Sequence, residues 1–355
     1  MPFLLFTPHA RLDFPQPAGD SALSDEDLGG TRMSWLVTGG AGYIGAHVVR
    51  ALVDDGESVV VYDDLSTGSA ERIPEGVPLV VGSVLDRSAL DAAIRDNAVT
   101  GVVHIAAKKQ VGESVEQPLH YYRENVTGLQ TLLEAMASAG VGRLVFSSSA
   151  AVYGMPDVDL VTEDTPCLPM SPYGETKLVG EWLIAAAARA HGIRAASLRY
   201  FNVAGAAAPE LSDSGVFNLI PMVFERLEAG EAPRVFGDDY ATPDGTCVRD
   251  YIHVADIASA HLAAARRLAD FPEGTALTLN IGRGQGSSVR EMVDRILKVT
   301  GRQDVAPQVT ERRPGDPARV VASADRAREV LGWSARHDLD DMIESAWQGW
   351  RRRHG

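Results

Sequence analysis

Tyr173 and Lys177 stand four residues apart in the run Ser171-Pro172-Tyr173-Gly174-Glu175-Thr176-Lys177. On a helix, positions i and i+4 share one face, so the ammonium can sit beside the phenol. A free tyrosine, with a pKa of about 10, is a poor general base at neutral pH. A fixed cation nearby favours the phenolate and lowers that value; the positive charge of an oxidised nicotinamide pushes the same way. The expected device is a base poised near working pH. Taken alone, so short a pattern equally describes an ordinary exposed tyrosine and lysine. Two further features decide between them: Ser147-Ser148-Ser149 upstream, and Gly39-Gly40-Ala41-Gly42-Tyr43-Ile44-Gly45 further upstream. A glycine loop with a proton-transfer pair implies a nicotinamide cofactor held beside an alcohol that is oxidised.

The elements around the glycine loop fit that reading. Trp35-Leu36-Val37 ends at Thr38 and predicts a buried parallel strand. His47 to Val53 carries apolar residues at helical spacing. Strand, glycine turn and helix are the context a dinucleotide motif requires. Gly39 permits the tight turn, Gly42 the approach of a pyrophosphate, and Gly45 the close packing of helix on strand. The helix N-terminus offers free N–H groups to the phosphates. Val59 to Tyr62 predicts the second strand, and Asp63 closes it eighteen residues after Gly45. A carboxylate there bonds the adenosine ribose hydroxyls and repels a 2′-phosphate, which favours NAD over NADP.

Strands predicted near 34–38, 58–62, 78–81, 101–104, 142–147 and 194–199 alternate with helices. Such alternation implies an α/β fold, a Rossmann-like doubly wound parallel sheet. Leu129, Leu132, Leu133 and Met136 form one apolar helical stripe; Leu178, Trp182 and Ile184 to Ala188 form another. Both are expected in the core, and either helix could also pair with its mate across a two-fold axis. After Asn202 the alternation breaks, and the chain is expected back in the sheet around Tyr251 to Asn280. The expected domains are an N-terminal extension over 1–32, a cofactor domain over 33–201 plus 250–280, and a smaller, discontinuous α/β substrate domain over 202–249 plus 281–355. Ligand is expected in the crevice between them.

With these residues in hand, the chain resembles the extended short-chain dehydrogenase/reductase family, and within it the 4-epimerases of UDP-glucose and UDP-galactose. The resemblance runs from about Ser34 to Trp350. It rests on His104 to Lys109 followed by Val111-Gly112-Glu113-Ser114, on Glu124-Asn125-Val126-Thr127-Gly128, on Leu198 to Asn202, and on Asp244 to His253. It implies that Tyr173 takes the 4-hydroxyl proton, that Lys177 bonds the nicotinamide ribose, and that Ser149 bonds the same sugar hydroxyl. It implies that Lys109 reaches the ribose or phosphate side and that Asn125 supports the cofactor network. Tyr43, Ile44, Ser83, Val84, Ala106 and Phe201 would complete the cofactor side. Asn202, Asn218, Arg249, Arg313 and Asp316 would hold the UDP, with Leu219, Phe236, Tyr251 and Val320 beside them. Guanidinium pairs bidentately with phosphate oxygens, which suits two arginines to a diphosphate. The resemblance further implies bound NAD, a UDP-sugar substrate and a homodimer.

Two departures from the family pattern stand out. Ser83 occupies the place of an aspartate near the adenine, so an altered adenine contact is expected. Val320, four residues after Asp316, stands where a tyrosine restricts the sugar pocket to hexoses and a small residue admits N-acetyl sugars. A shift of one position in this correspondence would put Arg319 there instead. A 4,6-dehydratase would need an acid and a base in the two positions after Ser149, and these are Ala150 and Ala151. A 4-epimerase of a UDP-pentose or UDP-glucuronate remains the nearer alternative. A non-catalytic NAD sensor would have no need of Ser149, Tyr173 and Lys177 together.

Composition sets outer bounds. A chain of 355 residues has room for about two domains. Its 45% hydrophobic and 23% charged residues are ordinary for a globular enzyme. A net charge of −15 argues against nonspecific binding of nucleic acid or anionic membrane. Cys167 and Cys247 offer neither a disulfide framework nor metal spacing, so no metal and a reducing, cytoplasmic setting are expected. No apolar run approaches the roughly 20 residues that span a bilayer. The N-terminus lacks the early basic region of a signal peptide. Residues 1–32 read as a loose extension, with Met33 immediately before the first strand.

Overall fold

Runs of valine, isoleucine and leucine four to seven residues long are stable as strands when both faces of the sheet are covered. In the computed structural model, which describes residues 33–313 and 315–355, they form that kind of sheet. The extension expected over 1–32 lies outside the described residues. The first half of the chain contains β1 (Ser34–Thr38), α1 (Tyr43–Asp54), β2 (Ser58–Asp63), β3 (Leu79–Val81), α2 (Arg87–Asp96) and β4 (Gly101–His104). It continues through α3 (Val111–Glu116), α4 (Pro118–Tyr121), α5 (Gly128–Ala139), β5 (Arg143–Ser149), α6 (Pro172–His191) and β6 (Arg194–Tyr200). Beyond these lie β7 (Asn202–Ala204), α7 (Leu219–Glu228), β8 (Arg234–Phe236), β9 (Val248–His253), α8 (Val254–Arg267) and β10 (Ala276–Ile281). The last elements are β11 (Gly286–Ser288), α9 (Val289–Val299), β12 (Gln308–Thr310), β13 (Arg319–Val320), α10 (Asp325–Leu331) and α11 (Leu339–His354).

Seven strands make one parallel sheet in the order β10-β6-β5-β4-β1-β2-β3. Side chains alternate across a strand, so each strand feeds two cores. Trp35, Val37, Val59 and Val61 pack under α1, α8 and α10. Leu36, Val60, Tyr62 and Phe146 pack under α2, α5 and α6. The doubly wound fold is therefore as expected. The order reverses between β1 and β4, and a ligand crevice belongs outside the carboxyl ends at such a switch point. The loops that follow these two strands carry Gly39 to Gly45 and Ile105 to Lys109.

One expectation is corrected. β9, which carries Tyr251, does not return to the main sheet; it pairs with β7, β11 and β13 in a second sheet. The return is made by α8 and β10, which adds next to β6. The reason is in the packing: Tyr251 joins a third core with α7, α9 and α11. The stripe Leu129, Leu132, Leu133 and Met136 is buried on α5 as expected, whereas Trp182 on α6 is 62% exposed. Among the described residues no helix is long and apolar enough to cross a membrane.

Candidate active site

Gly42 begins α1 with no side-chain cap, so the first N–H groups of the helix face the crevice. Gly39 has φ 73°, and a Cβ on it would stand 2.6 Å from the Ala106 nitrogen. Backbone is thus packed against backbone here, as a pyrophosphate cradle requires. The crevice encloses about 470 Å³ and is lined by Gly39, Gly42, Tyr43, Ile44, Gly45, Asp63, Ser83, Val84, Ala106, Lys109, Tyr173 and Lys177. Asp63 is fixed by the N–H groups of Ala41 at 3.0 Å and Leu65 at 2.8 Å. Burial raises its pKa, and those two donors pull it back. Ser83 caps its own turn by accepting from the Leu85 N–H. A glycine cradle, a helix N-terminus and a carboxylate at the end of β2 together fit a dinucleotide.

Two predicted cofactor residues stand behind this lining. Asn125 lies on a π-helical turn over Tyr122–Thr127, a distortion often found at functional sites. Its amide oxygen accepts from the Lys108 N–H at 2.8 Å. Its amide nitrogen donates to the Lys108 carbonyl and to the Thr176 hydroxyl, each at 3.0 Å. It ties the Lys108-Lys109 segment to α6. Phe201 is buried against Val320, Leu178 and Tyr153.

The proton-transfer residues meet where β5 ends and α6 begins. Ser171 caps α6 by accepting from the Gly174 N–H, and Pro172 opens the first turn. This places Tyr173 in the first turn and Lys177 one turn on. The Lys177 ammonium lies 5.9 Å from the centre of the Tyr173 ring but donates to the Ser147 carbonyl at 2.8 Å. Burial raises the Tyr173 pKa, and a hydrogen bond with Ser149 is what lowers it. Lys177 is itself buried, its pKa pushed down to about 8 against the opposing pull of Glu181, and it is turned toward a carbonyl.

A second cavity of about 340 Å³ adjoins the first and is lined by Asn202, Asn218, Leu219, Phe236, Arg249, Tyr251, Arg313 and Asp316. Arg249 donates to the carbonyls of Val248 at 3.0 Å and Pro317 at 2.7 Å, and lies 3.5 Å from Asp316. The Arg313 guanidinium sits 3.8 Å over the Phe236 ring, a cation–π contact. Val320 lines neither cavity; it is buried behind them against Phe201. Arg319 donates to the Asp159 carbonyl instead. Tyr43, Asp213 and Phe217 line both cavities. Asp213 and Phe217 were missed because the 205–217 loop carries no motif. Tyr200, which faces the cofactor crevice, could have been found as the neighbour of Phe201 in the Leu198 to Asn202 run. Among the described residues no cluster of His, Cys, Asp and Glu could hold a metal ion.

The family described as NAD dependent epimerase/dehydratase matches residues 35–282. The UDP-glucose 4-epimerase of Azospirillum brasilense is 48% identical over 322 residues, 89% of this chain and 91% of that protein. The structure of UDP-glucose 4-epimerase from Stenotrophomonas maltophila, with bound NAD and formylated UDP-arabinopyranose, superposes with a TM-score of 0.86. It is 42% identical and covers 91% of this chain and 100% of its own. The UDP-Glc/GlcNAc 4-epimerase of Campylobacter jejuni superposes with a TM-score of 0.80 at 34% identity, covering 90% and 99%.

Proposed function

The chain belongs to the NAD dependent epimerase/dehydratase family, and we propose that it is an NAD-dependent UDP-glucose 4-epimerase, an isomerase that interconverts UDP-galactose and UDP-glucose. The observation that carries this is the position of Tyr173 and Lys177 on a dinucleotide crevice that adjoins an arginine-bearing cavity, with Ser149 hydrogen-bonded to Tyr173. The expected cofactor side, 33–201 plus 250–280, holds from α8 onward in its second part; β9 joins 202–249 and 281–355 on the UDP-sugar side.

Bound NAD supplies reversible acceptance and return of the hydrogen on sugar carbon 4. The chain's own residues do the rest. Gly39, Gly42 and Gly45 admit the pyrophosphate, Asp63 takes the adenosine ribose, and Lys177 and Lys109 face the nicotinamide end. Arg249 and Arg313 hold the diphosphate, with Asn202, Asn218 and Asp316 on the nucleotide. Tyr173 takes the proton from the 4-hydroxyl and returns it, and Ser149 orients that hydroxyl. The hexose is held through its UDP, so the 4-keto sugar can turn its other face between the two transfers. Ala150 and Ala151 offer no proton to expel a 6-hydroxyl, which sets dehydration aside.

Room for an N-acetyl group is supported by the similarity to the Campylobacter jejuni enzyme that takes both sugars; Val320, packed behind Phe201, does not itself line the cavity. The test is one experiment with two substrates. Purified protein, with no NAD added, is expected to convert UDP-galactose to UDP-glucose and also to turn over UDP-N-acetylglucosamine. No conversion of UDP-galactose with bound cofactor confirmed would overturn the function. Failure on the N-acetyl sugar alone would remove only the wider specificity.

The assembly we propose is a homodimer. Helices α3, α4 and α6 are neighbours, and they expose Val111, Val115, Leu119 (84%) and Trp182 (62%). Large apolar patches on a soluble surface mark partner sites, and a second copy through a two-fold axis is the commonest partner. Light scattering at micromolar concentration should give twice the 38.0 kDa chain mass. Trp182→Glu should bring it to the chain mass; a variant that stays dimeric would place the contact elsewhere. The two free cysteines, Cys167 and Cys247, accord with a cytoplasmic enzyme.

A further inference from the structure

Behind the proton-transfer residues lies a buried ionic network that the reaction scheme above does not use. Glu181 follows Lys177 by one turn of α6, and both Glu181 and Arg199 are buried. Arg199, on β6, grips the Glu181 carboxylate with two donors, at 2.9 and 2.6 Å. Ser148, next to Ser149, donates to the same carboxylate at 2.5 Å. Arg199 also donates to the Tyr153 hydroxyl at 2.8 Å, and Tyr153 donates to Asn280 of β10 at 2.6 Å. The network thus spans α6, β5, β6 and β10 at the edge of the active site.

We propose, on the epimerase reading above, that Glu181 is a positioning residue: its carboxylate, locked by Arg199 and Ser148 one helical turn from Lys177, fixes the negative charge on that face of α6 and so holds Lys177, Tyr173 and Ser149 in working order. The ordinary reason for a buried bidentate pair is geometry, since such pairs add little net stability. Here the carboxylate gripped by Arg199 stands one helical turn from the buried Lys177. Removing the carboxylate leaves Arg199 uncompensated beside an ammonium that is already buried. Removing Arg199 leaves the carboxylate to Lys177 alone.

The groups that face Lys177 from each packed element narrow the pH argument. Its own helix contributes Tyr173 and Glu181; β4 contributes His104, and β5 Ser147 and Phe146; behind these stand Arg199 on Glu181, Tyr200 beside Ser147 and Tyr173, and His261 on Ser147. Burial holds His104 down to about 3 and His261 to about 4, and holds Tyr173 and Tyr200 above the usual phenol range. Between pH 6 and 9, roughly the span bracketing the imidazole and phenol pKa values, Lys177 is the group that titrates there. Burial lowers its pKa and Glu181 raises it. Turnover that needs the cation is lost as pH rises through the Lys177 pKa.

The test is the pH profile of kcat for UDP-galactose, in holoenzyme, for wild type, Glu181→Gln and Arg199→Gln. Neighbouring charges within hydrogen-bonding range shift a pKa by about 1–3 units. Glu181→Gln should move the alkaline limb down by about one unit or more, a loss of roughly fivefold in kcat at pH 8 and roughly tenfold well above it, with KM unchanged. Arg199→Gln should move that limb up. A role confined to packing predicts lower melting temperatures and limbs that stay in place in both variants, and that result overturns the proposal. If one variant does not fold, the sign of the shift in the other decides. Wild type that does not turn over UDP-galactose would instead count against the function itself.

Discussion

Tyr173→Phe should abolish turnover of UDP-galactose while the purified protein keeps its NAD. The loss expected from removing one positioned acid–base group is on the order of 10² to 10⁴-fold. The substitution deletes only the hydroxyl, and its partner is Ser149, not the cofactor cradle. The ring position in the first turn of α6 is set by the Ser171 cap and Pro172, which remain. Affinity for UDP should hold, because Arg249, Arg313 and Asn218 line the other cavity. Burial pushes the phenol pKa up and the Ser149 hydrogen bond pulls it down; the positive charge of bound oxidised cofactor would favour the phenolate further. Turnover by Tyr173→Phe at the wild-type rate would remove Tyr173 from the chemistry. Loss of bound NAD together with activity would assign it to cofactor binding instead.

The sequence shows most clearly what depends on short-range rules. A valine-rich run favours a strand in a covered sheet, so the six strands up to Tyr200 were legible to within a residue or two, though Val81 at the end of edge strand β3 stays exposed. The i, i+4 spacing of Tyr173 and Lys177 likewise translated directly into one helix face. What depends on long-range partners was not legible. Nothing local tells Val248–His253 that its partners are β7, β11 and β13 and not the main sheet. Trp182 follows the core stripe of α6 in sequence, yet it points outward and is exposed. Lys177 stands one turn from Tyr173 as the spacing requires, but the bond its ammonium makes to the Ser147 carbonyl of β5 is one that no helical period reports. Asp213 and Phe217 enter the site only because a loop without periodicity lies across both cavities. The pairing of Glu181 with Arg199 joins residues eighteen apart through the sheet, a distance no helical or strand period reports.

Gly45→Ala should yield a folded protein that purifies without NAD and does not epimerise UDP-galactose unless NAD is supplied in large excess. A Cβ at position 45 would stand 2.0 Å from the Gly39 carbonyl oxygen, 2.8 Å from its carbonyl carbon and 2.8 Å from the Gly40 Cα. All three are backbone atoms, so no flexible side chain can turn aside. Nor can the loop retreat, because Gly39 already abuts the Ala106 backbone on its other side. The first turn of α1 must therefore move away from the loop, which widens the cradle that holds the pyrophosphate. Forcing a methyl into a packed site costs about 1–3 kcal/mol, equivalent to roughly ten- to a hundredfold in NAD affinity if the strain is relieved in the unbound state. The fold should survive, since Val48, Val49 and Leu52 anchor α1 to the sheet below the first turn. Gly142→Ala is the matched control: its Cβ meets no atom within 4 Å, and it should keep NAD and activity. Bound NAD released by denaturation and measured by absorbance reads the outcome. Full NAD occupancy in Gly45→Ala would mean that the helix–loop contact does not set cofactor affinity.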